Sequence, residues 1–511
     1  MDDYYSSKLV SQARLDSEAK WLFWGSFIAL VATAFGFIVR TQVINEWGIQ
    51  FNLSETQKGE LFGVGLWPFA LSIVLFSLVV DRVGYGKAMV FAFGCHMASA
   101  IITILAQGYW GLYIGTFIVA LGNGTVEAVV NPVVATMFPK DKTKWLNILH
   151  AGWPGGLVLG GMLALMMGSV DWRLKVALIF LPTAVYGLML FGRRFPVQER
   201  VQAGVPYKVM LQEAGILGVL IVVALIVSEV GRVFSWPLSL QLSLGAVLVA
   251  GYTVYVRAWG RMMFFFLLLL MIPLATTELG TDSWITALMA PEMGQLGIHP
   301  GWVLVYTSLI MMILRFFSGP FVHKLSPLGL LAASSLVAAV GLVALSKSTG
   351  VMILLAATLY GFGKTFFWPT MLGVVSEQFP KGGALTLNAI AAVGTLSVGV
   401  VGAAFLGYVQ DRTIDQELRL KDPVLHTRVL AQERVSVFGK YHPLDQDKLE
   451  LISLANQRVV EEIQADAKKD ALMVVAILPI IMLGGYSILI LYFRGRGGYQ
   501  AAQLLDQTTK G

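Results

Sequence analysis

Apolar residues fall in long unbroken runs along this chain, not in the alternating or one-sided patterns of soluble strands and helices. The runs cover about 21–46, 57–80, 87–106, 110–138, 145–168 and 173–191, then 214–233 and 236–256. Six more follow at about 262–289, 302–322, 328–347, 350–378, 384–408 and 470–493. A helix of about 20 apolar residues crosses the hydrocarbon core of a bilayer. Inside that core only helices and closed barrels satisfy every backbone N–H and C=O. The pattern therefore predicts an all-α membrane protein of about fourteen spans, ordered as six, an inserted pair, and six.

Polar stretches between the runs set the expected boundaries. A polar N-terminus (1–20) precedes a first bundle at 21–192, and a basic linker with the inserted hairpin occupies 193–261. A second bundle takes 262–493, with an extended outer loop at 409–469, and a tail closes the chain at 494–511. In that loop Leu449, Ile452, Val459 and Ile463 predict an amphipathic helix running towards the last span. The loop then reads either as a folded solvent-exposed segment or as a cap over the outer mouth.

Charge refines the picture. Of 511 residues only 13% are charged, about half the share of a soluble protein. The net charge of +6 sits in short loops and not on one face, which is membrane topology and excludes nucleic acid as the partner. Arg82, Lys87, Lys140, Lys144, Arg193, Arg261, Lys324 and Arg494 all fall on one side of the membrane, while the short loops of the other hold little beyond Arg173, Arg232 and Lys347. Both termini are thus expected in the cytoplasm of a cell whose cytoplasmic membrane holds the protein. The run from Trp21 is too long for a signal h-region and lacks a small-residue cleavage site. The single Cys95 excludes an internal disulfide and any paired-cysteine metal or redox motif. No metal-ligand cluster or catalytic triad spacing is present, so neither an enzyme nor a cofactor is expected.

The chain repeats itself. Phe138-Pro139-Lys140, five residues, then Leu146-Asn147 returns as Phe379-Pro380-Lys381, five residues, then Leu387-Asn388, and Gly161 and Gly402 follow at equal distance. Upstream, Gly124 and Pro132 are spaced as Gly361 and Pro369 are, which sets Glu127 opposite Lys364, one helical turn out of step with the first match. Repeated halves with helix-breaking residues in corresponding places point to the central site of a carrier.

Charges inside the runs are the candidates for that site, because a carboxylate in hydrocarbon costs at least a few kcal/mol. Glu127 lies before Asn131-Pro132 in the fourth run. Arg40 in the first run either snorkels or faces the cavity, where it would pair with Glu127 or hold an anion. Glu278 and Asp282 stand one turn apart, beside Trp284, with Lys364 as the expected partner. His150, Trp153 and Pro154 interrupt the fifth run, and Gly152, Gly156 and Gly160 form a close-packing face. Trp67, Phe366, Phe367 and Trp368 are candidates to stack on a sugar face. Arg315 reads as a gate or packing charge. Gly363-Lys364-Thr365 is no phosphate loop, since Thr358 stands where its first glycine belongs.

After the second run comes Ser77-Leu-Val-Val-Asp81-Arg82-Val-Gly84-Tyr-Gly86-Lys87. This resembles the loop signature of the major facilitator superfamily, with Ser77 for its first glycine. The fourth run, with Glu127 ahead of Asn131-Pro132, the loop to Leu146-Asn147 and Phe51-Asn-Leu-Ser54, is similar to the fucose/glucose–proton symporter branch, best over the first five spans. Thr41 stands where that branch carries an Asp. The resemblance implies two pseudo-symmetric six-helix bundles, here with an inserted hairpin, working by alternating access. It implies proton coupling through Glu127, with Glu278 and Asp282 as further carriers. Arg40, Asn131, His150, Trp153, Trp284, Lys364 and Trp368 are then expected to line the substrate site, and Asp81, Arg82, Gly84 and Lys87 to gate it through inter-helix ion pairs. The expected cargo is a sugar or related polyhydroxylated solute, moved by a monomer. A carrier of sugar acids or organic anions, using Arg40 and Lys364, is the alternative within the fold, and a non-transporting receptor the alternative outside it.

Overall fold

The computed structural model describes residues 2–281, 301–436 and 438–504, with 293, 294, 297 and 299 between them. Among the described residues fourteen helical segments, numbered α1 to α14, follow the apolar runs. In the first half they are α1 (Asp2–Phe51), α2 (Gln57–Val83), α3 (Tyr85–Ile104), α4 (Tyr109–Met137), α5 (Lys142–Met166) and α6 (Trp172–Leu190). The inserted pair is α7 (Tyr207–Val233) and α8 (Leu238–Val256). The second half holds α9 (Met262–Gly280), α10 (Gly301–Phe316 with Ser318–Leu325), α11 (Pro327–Lys347), α12 (Met352–Lys364 with Phe367–Gln378), α13 (Pro380–Lys421) and α14 (Leu454–Arg494).

Among the described residues twelve of these are long and apolar enough to cross a membrane, and α10, bent by 62°, makes thirteen. The twelfth run, 350–378, falls outside that count because it is broken into two helices, Met352–Lys364 and Phe367–Gln378, of 13 and 12 residues.

Prolines decide where helices break. A proline removes one N–H and clashes with the carbonyl four residues back. The break in α2 falls at 64–66 ahead of Pro68, that in α5 at 150–151 ahead of Pro154, and that in α12 at 365–366 ahead of Pro369. Two π turns, Thr276–Gly280 in α9 and Val398–Gly402 in α13, add single-turn irregularities that pack on one another.

Close approach elsewhere uses glycine. A Cβ on Gly156 would stand 2.4 Å from Val31 O, and Gly152 and Gly160 also face α1, so this face packs α5 against α1. The halves meet along α2–α13, α5–α10 and α5–α12.

The repeat seen in the sequence is realised as matched helix ends. Phe138 closes α4 at φ −123°, ψ 62°, and Phe379 closes α12 at φ −128°, ψ 50°, each donating its N–H to the carbonyl four residues back. With these ends aligned the offset is 241 residues, which puts Trp368, not Lys364, at the place of Glu127.

The inserted pair lies against α13, α9 and α2 through α7, while α8 is almost wholly exposed. Gly215, at φ 61°, bends the entry to α7 where the backbone of Gly260 comes too close for any side chain.

In the stretch 409–469 the helix expected to run towards the last span is present from Leu454, and the other end, read from the sequence as loop, is helical as well. α13 continues to Lys421 and α14 begins at Leu454, because helix propensity carries on where hydropathy stops. Between them lie Pro423–Val429, a hairpin of Arg434–Ser436 and Gly439–Tyr441, and Gln446–Glu450. Ile414, Leu418, Leu425, Val429, Val460, Ile463 and Ala467 bury a small core of their own. Ser453 caps α14 and resets the helical phase, so Val460 is buried and Val459 is not.

Candidate functional site

Four carbonyls left without their helical N–H by a proline are taken up by side chains, three of them from the opposite half. Pro132 frees Ala128 O, which accepts from Asn388 Nδ2 at 2.9 Å. Pro154 frees His150 O, which accepts from Arg315 Nη1 at 2.9 Å. Pro380 follows Ser376, whose O accepts from Lys142 Nζ at 3.2 Å. Pro369 frees Thr365 O, which accepts from Arg315 Nε at 2.7 Å within the second half. Asn147, the repeat partner of Asn388, likewise crosses the seam, donating to Thr370 Oγ1 at 3.1 Å.

Around Arg315 the central side chains form one network. Its Nη2 donates to Glu278 Oε1 at 2.8 Å, and the other oxygen of Glu278 accepts the backbone N–H of Trp368 at 3.2 Å. The Trp368 indole reaches the other way, to Glu127 Oε1 at 3.4 Å. Glu127 Oε1 also accepts from Asn131 Nδ2 at 3.0 Å, and His150 Nε2 donates to Asn131 Oδ1 at 2.8 Å while standing 3.7 Å from Glu127. Trp368 thus bridges a carboxylate of each half. All six side chains are buried.

The two carboxylates differ in kind. Glu278 sits in the π turn of α9 and is balanced by a guanidinium. Glu127 sits mid-helix among neutral donors; no Lys or Arg nitrogen among the described residues stands within ion-pair distance of it. Lys364 is fully buried, with its Nζ 5.3 Å from the centre of the Tyr360 ring, and Tyr360 donates to Thr277 O next to Glu278.

Other expected residues lie elsewhere. Arg40 does not pair with Glu127. It is on the face of α1 turned to α3, where Nη2 donates to Ser99 Oγ at 2.7 Å and Nη1 to Gly36 O at 3.1 Å, and its Nε has no acceptor. Beside it, Tyr186 donates to His96 Nδ1 and His96 Nε2 to Asn123 Oδ1, at 3.0 and 2.9 Å, a polar cluster inside the first half. Asn123, Glu127 and Asn131 share one face of α4 at four-residue spacing, so the cluster abuts the central network. Trp153 packs on Phe37. Trp67 packs on Phe117 and Phe234, Phe366 on Phe321, and Phe367 is core. Of the candidate stacking rings, Trp368 alone touches a carboxylate among the described residues. Asp282 and Trp284 lie outside the described residues.

At the end that carries the basic loops, the loop signature is built differently from the expected pairing across helices. Asp81 Oδ2 accepts from Arg200 Nη2 at 2.5 Å, in the short linker helix Glu199–Gln202. Arg82 lies over the Tyr207 ring at 4.6 Å, Gly84 turns between α2 and α3 at φ 91°, and Lys87 is exposed. The linker reaches the Asp81 carboxylate because its helix folds back beneath the bundle, with Glu199 paired to Lys142 at 2.6 Å. This end is shut: Thr143 of α5 bonds Glu377 of α12.

Sequence reasoning undervalued Arg315 and missed Arg200, Asn388, His96 and Glu377. The carbonyls that recruit Arg315 are predictable from Pro154 and Pro369, but nothing in the sequence brings all three together.

The profile of the Major Facilitator Superfamily matches residues 21–403. The chain belongs to that superfamily. It is a membrane transporter and not an enzyme. Among curated relatives of this superfamily chain, the hexuronate transporter of Bacillus subtilis (strain 168) is 21% identical over 386 residues, 71% of this chain and 81% of the relative. A probable sugar efflux transporter of Helicobacter pylori (strain G27) is 21% identical over 212 residues, 40% of this chain and 54% of the relative. Solved structures share the fold at low identity. The human organic anion transporter MFSD10 aligns with TM-score 0.60 at 11% identity over 92% of this chain and 99% of that one. A proton:xylose symporter gives 0.59 at 14%, over 92% and 95%. The fucose:proton symporter of E. coli gives 0.54 at 15%, over 90% and 98%.

Proposed function

We propose that this transporter moves a sugar or related polyhydroxylated solute together with a proton, by alternating access, with Glu127 as the proton site. One observation carries the reading. Glu127 is buried at the seam, no Lys or Arg nitrogen among the described residues stands at ion-pair distance from it, and one oxygen is shared by donors from both halves, Asn131 and Trp368. Adding a proton to such a carboxylate changes what it accepts, so its protonation state bears directly on the contact between the halves. Asn131, His150 and Trp368 supply the amide, imidazole and indole groups that recognise hydroxyls and an apolar sugar face. Glu278, with Arg315 balancing it, is assigned to holding the fold; Asp282 stays a secondary candidate for the proton.

A thermal-shift screen of the purified protein against neutral sugars and sugar acids tests the substrate class. A ligand at a hundredfold its Kd stabilises the folded state by about 2.7 kcal/mol. Stabilisation by neither set contradicts the reading.

A sugar acid or other organic anion is the second reading, and two observations favour it. Arg40 has no carboxylate at ion-pair distance among the described residues and an unsatisfied Nε, and the hexuronate relative covers most of the chain. If it holds, the acids and not the neutral sugars shift the melting curve. Lys364→Gln then weakens the acid by about 1.5–3 kcal/mol, the scale of a charged hydrogen bond.

The protein is further assigned to the cytoplasmic membrane as a monomer of fourteen spans, two six-helix bundles around the inserted hairpin, with both termini inside and the α13–α14 module outside. In a Cys95→Ala background, Lys440→Cys should react with an impermeant thiol reagent added outside, and Asp141→Cys should not. Labelling of position 440 only from the cytoplasm reverses the topology.

A further inference from the structure

Glu377, at the end of α12, is buried and takes no part in the central network. Its two oxygens serve two different segments. Oε1 accepts from the backbone N and the Oγ1 of Thr143, at 3.1 and 2.5 Å, in the first turn of α5 in the opposite half. Oε2 accepts from the hydroxyl of Tyr499 at 2.7 Å, in the tail that follows α14.

The tail is built to present that hydroxyl. Gly497 and Gly498, at φ 91° and 103°, turn the chain back after Arg494, and Gly498 N donates to Phe493 O. The Tyr499 ring packs on Phe493 with centroids 5.1 Å apart. Gln378 Nε2 then donates to Gln500 O and Ala502 N to Glu377 O, both at 2.8 Å, and Leu504 is buried. Gly373 makes the crossing possible, since a Cβ there would lie 2.2 Å from Thr143 Oγ1.

The tail and α12 belong to the same half, so the tail does not itself tie the halves together. Its effect passes through the carboxylate. Holding Oε2 fixes the side chain in the orientation that presents Oε1 to Thr143, and the Thr143 bonds exist only while α5 and α12 are together. We propose that Glu377 is the positioning residue of the gate at the basic end, and that residues 495–504 are a strap which sets the strength of that gate through Tyr499. Undocking the strap leaves the carboxylate free to turn away, and shifts the population towards the state open at this end, because only the closed state contains the bonds it supports. The inference rests on the alternating-access reading but needs neither substrate nor proton, so its test stands apart from theirs.

Ala135, buried beside Lys142, Glu199 and Ser376, lies behind the gate. In the full-length protein carrying Cys95→Ala and Ala135→Cys, the rate of reaction with a charged maleimide reports opening. Tyr499→Phe keeps the ring and removes only the hydroxyl; it should raise that rate about tenfold, the scale of one hydrogen bond to a charged group. Ending the chain after Gly498 should do the same. In a Thr143→Val background Tyr499→Phe should add less than in the Thr143 protein, since of the two bonds the strap supports only the one from the backbone N–H remains. In the native background the buried Cys95, inside the first half, should stay as unreactive as in the wild type. An unchanged rate at position 135, an effect that persists undiminished with Thr143→Val, or equal exposure of Cys95 each overturns the proposal.

Discussion

Replacing Arg315 by Met is expected to cost roughly 3–5 kcal/mol of stability, the penalty for removing one partner of a buried ion pair. Among its acceptors are Thr365 O, His150 O and Glu278 Oε1, at 2.7–2.9 Å. Two of these are carbonyls that Pro369 and Pro154 have stripped of their helical partners, so the substitution leaves them bare as well as loosening the carboxylate. Arg315→Lys should rescue little, because an ammonium cannot match three directions with a planar fork. Adding Glu278→Gln to Arg315→Met should restore a measurable part, since it removes the buried charge but not the orphaned carbonyls. Thermal unfolding of the four proteins checks this. A single Arg315→Met protein as stable as the wild type would show that the seam does not depend on the guanidinium.

That dependence explains why the sequence was readable in some places and silent in others. Hydropathy alone finds the apolar helices, and the Phe-Pro-Lys repeat marks two matched helix ends, because both depend on residues close together in the chain. The four-residue spacing of Glu127 and Asn131 likewise places them on one helical face. Arg315 serves carbonyls belonging to α5 and α12, brought together only by packing of the halves. Arg40 turns towards Ser99 rather than towards Glu127, a choice of helix face that a lone charge in an apolar run does not encode. Asp81 meets Arg200 because the linker folds back on the bundle, where the loop signature by itself points to neighbouring helices. In the α13–α14 module the helix leading into the last apolar run was legible from its spacing, but the extension of α13 to Lys421 was not, because that helix continues past the end of its apolar stretch.

The second large effect is expected at Glu127. Glu127→Gln keeps the shape and the oxygen that Asn131 and Trp368 donate to, and removes the titratable group. In proteoliposomes the variant should bind substrate and exchange it across the membrane at rates close to the wild type. It should lose accumulation on a pH gradient altogether, because the coupling site no longer titrates. Full accumulation by the variant would move the proton site to Asp282 or Glu278. Loss of binding with no pH response in either protein would make Glu127 a ligand, and the transporter a uniporter or exchanger.

Proton movement itself is the most direct reading of the central claim. Wild-type proteoliposomes in weak buffer are given labelled hexoses and hexuronates, and external pH is followed with uptake. Coupled entry predicts that the medium turns alkaline as the transported solute enters, and that Glu127→Gln abolishes the pH change while exchange continues. Solute entering the wild-type vesicles with no change in pH would contradict it.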